Sequence, residues 1–180
     1  FPNTGRMDYL HALAYNHGYA CVVERAASIE VPERAEYIRV ITAELNRISS
    51  HLLWFGAFVL DLGGFSPLLY AFDDREYILD LLESVTGSRL TYCYFRFGGV
   101  ANDIDDAFIT GTRAFIKRMR RRLIKYHDLV TKNIIIMKRL KDIGFVSAEM
   151  CRKYGATGPV ARGAGIDYDV RRHEPYSVYD

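Results

Sequence analysis

Between Pro32 and the Gly63-Gly64 pair the chain runs for thirty residues without another proline, and this run constrains the fold more than any other feature. Its first half sets Ile38, Ile41, Leu45, Ile48 and Leu52 at spacings of three and four, which is one apolar face of a helix. Its second half, Leu52 to Leu60 (LLWFGAFVL), is apolar on every side, as expected where a helix enters a core. Pro32 in the first turn, Glu33 at the positive end and two glycines after the last turn supply start and stop signals. A helix from about Val31 to Leu62 follows, and the rest of the chain has to be arranged around that rod.

The remaining pattern is helical almost throughout, with no internal repeat or low-complexity tract. A first helix runs from Asp8, as N-cap, to about Ala27. A third spans Phe72 to Thr86 and stops at Gly87, with Asp73, Asp74, Arg75 and Glu76 along an exposed edge. Leu90 to Phe97 (LTYCYFRF) alternates weakly and reads as either strand or extended chain before Gly98-Gly99. A long fourth helix, about Asp106 to Lys141, carries Phe115, Met119, Leu123, Tyr126, Val130 and Ile134 on one side and the basic block Lys117 to Lys125 (KRMRRRLIK) on the other. A short helix near Ser147 to Lys153 precedes a Gly-, Pro-, Arg- and Tyr-rich loop from Gly155 to Asp180. With few apolar anchors of its own, that loop is expected to dock on a neighbouring surface. The expected fold class is mainly α: residues 1–180 form one helical bundle, with a possible short extended segment and a docking loop at 155–180.

Composition narrows the function classes. The longest uncharged apolar run, Leu52 to Leu60, is too short to span the ~30 Å hydrocarbon core of a bilayer. Net charge is +2, so the chain as a whole has no strong field for nucleic acid. The block at 117–125 reads either as a solvated helix face or as a contact for an acidic protein or lipid headgroups. Cys21, Cys93 and Cys151 lie far apart without a Cys-x-x-Cys, which argues against a zinc knuckle or a disulfide framework and for a reducing compartment. Neither G-x-G-x-x-G nor G-x-x-x-x-G-K-[ST] spacing occurs, so direct NAD binding has no support. The first residues carry neither an initiator Met nor a signal-peptide pattern, and both ends read as cuts through a longer chain.

Candidate chemistry gathers in three places. Asp8, Tyr9, His11 and His17 cluster near the start of the first helix and could relay protons to a polar ligand. Thirteen tyrosines and five histidines also make such neighbours by chance. Glu44, Arg47 and His51 share one face of the long helix, either as an ion pair with a neighbouring histidine or as part of a site. Asp61 follows nine uncharged residues at the end of the most apolar stretch, where a buried carboxylate would need a partner.

A resemblance runs through these segments. Arg6-Met7-Asp8-Tyr9-Leu10-His11, Val23-Glu24-Arg25, Ile29 to Ala35 (IEVPERA), Tyr37-Ile38-Arg39, Glu44-Leu45-Asn46-Arg47, Ser50-His51-Leu52 and Leu60-Asp61-Leu62-Gly63 resemble, in order, the quinone-site subunit of respiratory complex I. That family is the D or 49 kDa subunit family, related to the nickel-iron hydrogenase large subunit. Tyr70-Ala71-Phe72, Val85-Thr86-Gly87, Gly98-Gly99-Val100 and Gly165 to Arg171 (GIDYDVR) continue the match. The resemblance implies a helical bundle of the hydrogenase large-subunit type, acting within a multisubunit NADH:quinone oxidoreductase and inactive alone.

By the same resemblance Tyr9 hydrogen-bonds a carbonyl of the quinone headgroup, Tyr9 and His11 are the quinone-binding candidates, and Tyr9 and Asp61 the catalytic ones. Asp61 is implied to pair with a histidine on a loop outside this chain. Quinone is then a substrate, no cofactor is expected on this chain, and electrons come from an iron-sulfur cluster in a neighbouring subunit. The implied partners are that subunit and the membrane-arm subunits, without nucleic acid. The implied location is peripheral, on the cytoplasmic side of the membrane or the matrix side in mitochondria. Where the related hydrogenases carry the first nickel-ligating Arg-x-Cys-x-x-Cys, this chain has Asp8 and His11 in the places of the two cysteines, and a soft thiolate nickel site cannot be built there. An F420H2 dehydrogenase or energy-converting hydrogenase relative, and a purely structural docking module, remain as alternatives.

Overall fold

The computed structural model describes residues 2–179, and these divide into two compact units that meet in sequence at Asn133 and Ile134. In the first unit a 3-10 turn, Thr4–Arg6, leads into α1 (Ala12–Ala27), α2 (Glu33–Asp61) and α3 (Phe65–Thr86). A two-residue hairpin pairs β1 (Phe95–Arg96) with β2 (Gly99–Val100), and α4 (Asp106–Tyr126) follows.

The long helix forms as its pattern predicts. At 29 residues, α2 is roughly 43 Å of rod by the usual rise per residue. Gly63, at positive φ, and Gly64, whose N–H donates to the Val59 carbonyl, turn the chain back into α3. The two helices approach closely at Gly56, where a Cβ would meet Leu68 Cδ1 at 2.9 Å and its Cα at 3.2 Å. The core runs down this pair: Ile38, Leu45 and Leu52 of α2 meet Ile78 and Leu82 of α3, with Leu13, Phe95, Phe108 and Phe115 closing around them.

Several expectations need correction. α1 starts at Ala12, because the Asp8 carboxylate accepts from the N–H groups of Leu10 and His11 and so caps a turn before the helix. The apolar stretch at 52–60 does not enter the core of this unit on all sides. Trp54 is 60% exposed, and Phe58 and Leu60 are also open to solvent. α3 begins seven residues earlier than expected, and its acid-base edge is not exposed throughout: Asp74 and Arg75 are buried. The undecided segment resolves as a hairpin whose Tyr92, Tyr94 and Phe95 pack inward. The expected continuous fourth helix ends at Tyr126, passes into a π turn at His127–Thr131 and resumes at Ile134. The wide turn breaks the register of the stripe beyond Tyr126, where Ile134 is exposed, and Leu123, ahead of the turn, is exposed as well.

The basic block does not lie on one side. Arg118 and Arg122 each donate through Nε to Asp74, at 2.8 and 2.9 Å, and the Tyr126 hydroxyl donates to the same carboxylate. Lys125 sits over the Tyr70 ring at 3.3 Å. Lys117, Arg120 and Arg121 face solvent. A run of nine helical residues sweeps the whole circumference, so a basic block of that length must split between faces.

The second unit contains α5 (Ile134–Leu140), α6 (Ala148–Tyr154), α7 (Gly158–Gly163) and α8 (Val170–His173). Ser147 caps α6 through its Oγ and the Met150 N–H. Residues 155–179 are not a plain loop. Asp169 caps α8 and pairs with Arg171 at 2.8 Å, which holds its carboxyl well below the usual range, and Tyr168 donates to Glu174 and stacks on His173. Local polar contacts thus replace the missing apolar anchors. Asp180, at the end of the expected docking segment, lies outside the described residues.

Candidate functional site

The turn at 8–13 is stapled to α2. Asn46 accepts the Leu13 N–H through Oδ1 and donates through Nδ2 to the Leu10 carbonyl, both at 3.2 Å. One turn earlier, His11 Nε2 lies 3.1 Å from the Ala43 carbonyl oxygen. Carbonyls only accept, so Nε2 carries the proton and Nδ1 is left as an acceptor in the neutral ring. Burial, followed by the positive Arg47, lowers the His11 pKa from its ordinary value, which keeps the ring neutral. Asp8 fixes the backbone on either side of Tyr9 through its two N–H bonds, and the Tyr9 side chain is left 51% exposed. Tyr9 is therefore half exposed beside a backbone held by the Asp8 carboxylate.

Two clusters that lie apart along the chain come together here. Arg47 Nε pairs with Glu44 at 3.1 Å, and both charges, together with Asp8, act on His11. His17 is drawn away from this group: it is buried edge-on against Phe95, with Glu36 3.7 Å from its Nε2. His51 is exposed further along α2.

Asp61, the last residue of α2, is exposed, so the expected demand for a partner from burial does not arise within this unit. It lies eighteen residues beyond Ala43 on the same helix (61 minus 43), or roughly 27 Å of rise. The structure does not bring it together with Tyr9 and His11. A carboxylate at the negative end of a helix opposes the macrodipole and adds no local stability.

Two asparagines shape the site without standing among the candidates that the sequence suggests. Asn46 positions the Tyr9 turn, and Asn16 ties Thr4 and the Tyr92 carbonyl to α1. Both are fully buried, and their signal in the sequence is an amide on an otherwise apolar helix face. Glu24 and Arg39, within the matching words, form a buried ion pair at 2.5 Å that also binds the hairpin. Among the described residues no group of His, Cys, Asp and Glu is able to hold a metal ion and no helix is long and apolar enough to cross a membrane, and the three cysteines are free.

The chain is 75% identical over 179 residues to the D subunit of the NADH-quinone oxidoreductase of Desulfotalea psychrophila, covering 99% of this chain and 48% of that one. It is 68% identical over 178 residues to a D subunit, numbered D 2, of the NADH-quinone oxidoreductase of Opitutus terrae, covering 99% and 45%. The chain thus spans about half the length of the curated relatives it matches. Its fold superimposes with a TM-score of 0.95, at 30% identity and covering 99% of this chain and 48% of the other, on a chain of the membrane-bound sulfane sulfur reductase (MBS), an archaeal respiratory membrane complex. The family described as respiratory-chain NADH dehydrogenase, 49 Kd subunit, matches residues 61–180, and with the relatives covering the segments before it the chain belongs to that family.

Proposed function

We propose that this chain forms part of the quinone site of a multisubunit NADH:quinone oxidoreductase and acts only within that assembly. The observation that carries the proposal is the Tyr9 turn: an exposed phenol on a backbone fixed by Asp8, Asn46 and the His11 contact to Ala43. As a quinone accepts electrons, negative charge develops on its carbonyl oxygens, and a preorganised O–H donor stabilises that charge more than it stabilises the neutral ground state. Tyr9 is that donor. His11 anchors the turn, and its Nδ1 can accept a hydrogen bond from a reduced headgroup hydroxyl. Asp61 acts at a distance from this turn, on a histidine supplied from outside the chain, holding that ring's proton and orientation.

Quinone is the substrate, and the electrons come from an iron-sulfur cluster in an adjacent subunit. The chain sits peripherally on the cytoplasmic face of the membrane, or the matrix face in mitochondria, against that subunit and the membrane arm. Residues 155–180 dock on one of these neighbours. The similarity to the sulfane sulfur reductase complex is the reason to keep a second reading, in which the same scaffold serves a different terminal acceptor.

The experiment is Tyr9→Phe in the full-length subunit within the assembled complex, comparing quinone reduction with reduction of an artificial acceptor that takes electrons upstream. Loss of one charge-assisted hydrogen bond should slow quinone reduction by roughly one to two powers of ten while upstream transfer is unchanged. Equal rates to both acceptors in an intact complex would remove Tyr9 from the site.

A further inference from the structure

An open apolar groove of about 820 Å³ runs between α2 and α4, floored by Ile38, Ile41 and Leu45 on one side and Phe108, Ile109 and Ile116 on the other. Its two rims differ in charge. Along α2, Arg34 pairs with Asp103 at 2.9 Å and Glu44 with Arg47, and Glu33 adds an exposed carboxylate at the end of the groove. On α4, Arg113 lines the groove, and Lys117 and Arg120, one and two turns further along the helix, follow it at helical spacing; all three are exposed and enter no ion pair among the described residues.

An apolar trough of this size is unusual on a finished surface and marks a place where something packs. A helix suits it, because the floor is two rows of side chains at helical spacing, and a ridge of apolar residues at i, i+3 and i+4 fills such a channel. The uncompensated cations on one rim favour an occupant with carboxylates along one flank. Relatives in the family carry about as much chain outside the matched half as inside it. A segment tethered within the same polypeptide meets the groove at an effective concentration that a separate partner rarely reaches.

We propose that the α2–α4 groove seats an amphipathic helix from the other half of the same subunit, with its apolar stripe on the groove floor and an acidic flank over Arg113, Lys117 and Arg120. The helix locks α4 against α2. It thereby completes the bundle that holds the Tyr9 turn.

The test places a photo-reactive benzoylphenylalanine at position 116 of the full-length subunit in the assembled complex, with position 22, an exposed site on α1, as control. After irradiation the cross-linked peptides are mapped. A cross-link from 116 to a segment of the same chain outside these 180 residues, carrying apolar residues at helical spacing and acids beside them, is the expected result. A cross-link to another subunit or to a second copy, or none above the control, overturns the proposal. If the bulky residue blocks assembly, Arg113→Cys with a short bifunctional reagent reads the same contact under the same criteria. The triple reversal Arg113→Glu, Lys117→Glu and Arg120→Glu should weaken the cross-link at 116, and an unchanged yield would overturn the acidic flank. The readout does not depend on quinone turnover, so it stands or falls separately from the Tyr9 assignment.

Discussion

Arg39 Nη2 and Glu24 Oε1 lie 2.5 Å apart with neither side chain appreciably exposed, and this pair ties α1, α2 and the hairpin into one piece. The guanidinium also donates to the Arg96 and Gly99 carbonyls and to Glu36, while Glu24 accepts the Gly98 N–H. Every partner of the buried charges is accounted for, which is the condition for a buried ion pair to persist.

Glu24→Gln leaves the Arg39 charge buried with only Glu36 to balance it. The full-length subunit should lose about 3 kcal/mol of stability, the low end of the range for breaking a buried pair. Chemical denaturation checks this, and an unchanged midpoint would mean that Glu36 alone suffices.

Asp74 is the corresponding node between α3 and α4. Asp74→Asn removes the charge that Arg118 and Arg122 share, and it should destabilise the protein by roughly 1.5–3 kcal/mol, the range for hydrogen bonds to charged groups. Asp73, which pairs with the same two arginines but is half exposed, should tolerate Asn with a much smaller change. Denaturation of the two variants side by side reads the difference, and equal losses would contradict the burial argument.

Gly56→Ala adds a Cβ against the Leu68 backbone, which cannot move aside as a side-chain tip can. Overpacking of the α2–α3 contact should cost roughly 1–3 kcal/mol, although alanine is the better helix former. A stabilised variant in the same denaturation assay would show that the helices separate freely at this point.

His17 gives the fold a pH signature. Burial opposes its charged form, but Cys21 and Glu36 outweigh burial and push its pKa up to about 9 from an ordinary 6.5. A raised native value means that its contribution to stability is fully present below 6.5 and is lost as pH rises through about 9. Stability of the full-length subunit measured across that window should fall with pH, and Glu36→Gln should flatten the fall. A wild-type profile with no slope there would show that His17 is neutral in the fold.

The elements were legible where local chemistry was unambiguous. The apolar periodicity of α2 and its Pro32 and Gly63-Gly64 boundaries, and the Ser147 start of α6, need only the residues themselves. The resemblance carried by the Arg6-to-His11 string singles out Tyr9, which the spacing of those residues does not, and the structure adds the Asp8 bonds to the backbone beside it. What the sequence could not decide is which side of a helix finds a partner. Asp74 and Arg75 read as an exposed edge and are buried, because α4 delivers Arg118, Arg122 and Tyr126 to Asp74 from more than forty residues away. Asp61 read as buried and is exposed, because no element of its own unit covers the end of α2. Periodicity and caps are properties of neighbours in sequence, and they settled α2 and the start of α6, though not the starts of α1 and α3 or the end of α4. Burial, ion pairing and the separation of Asp61 from Tyr9 depend on contacts between distant segments, and only the tertiary structure supplied those.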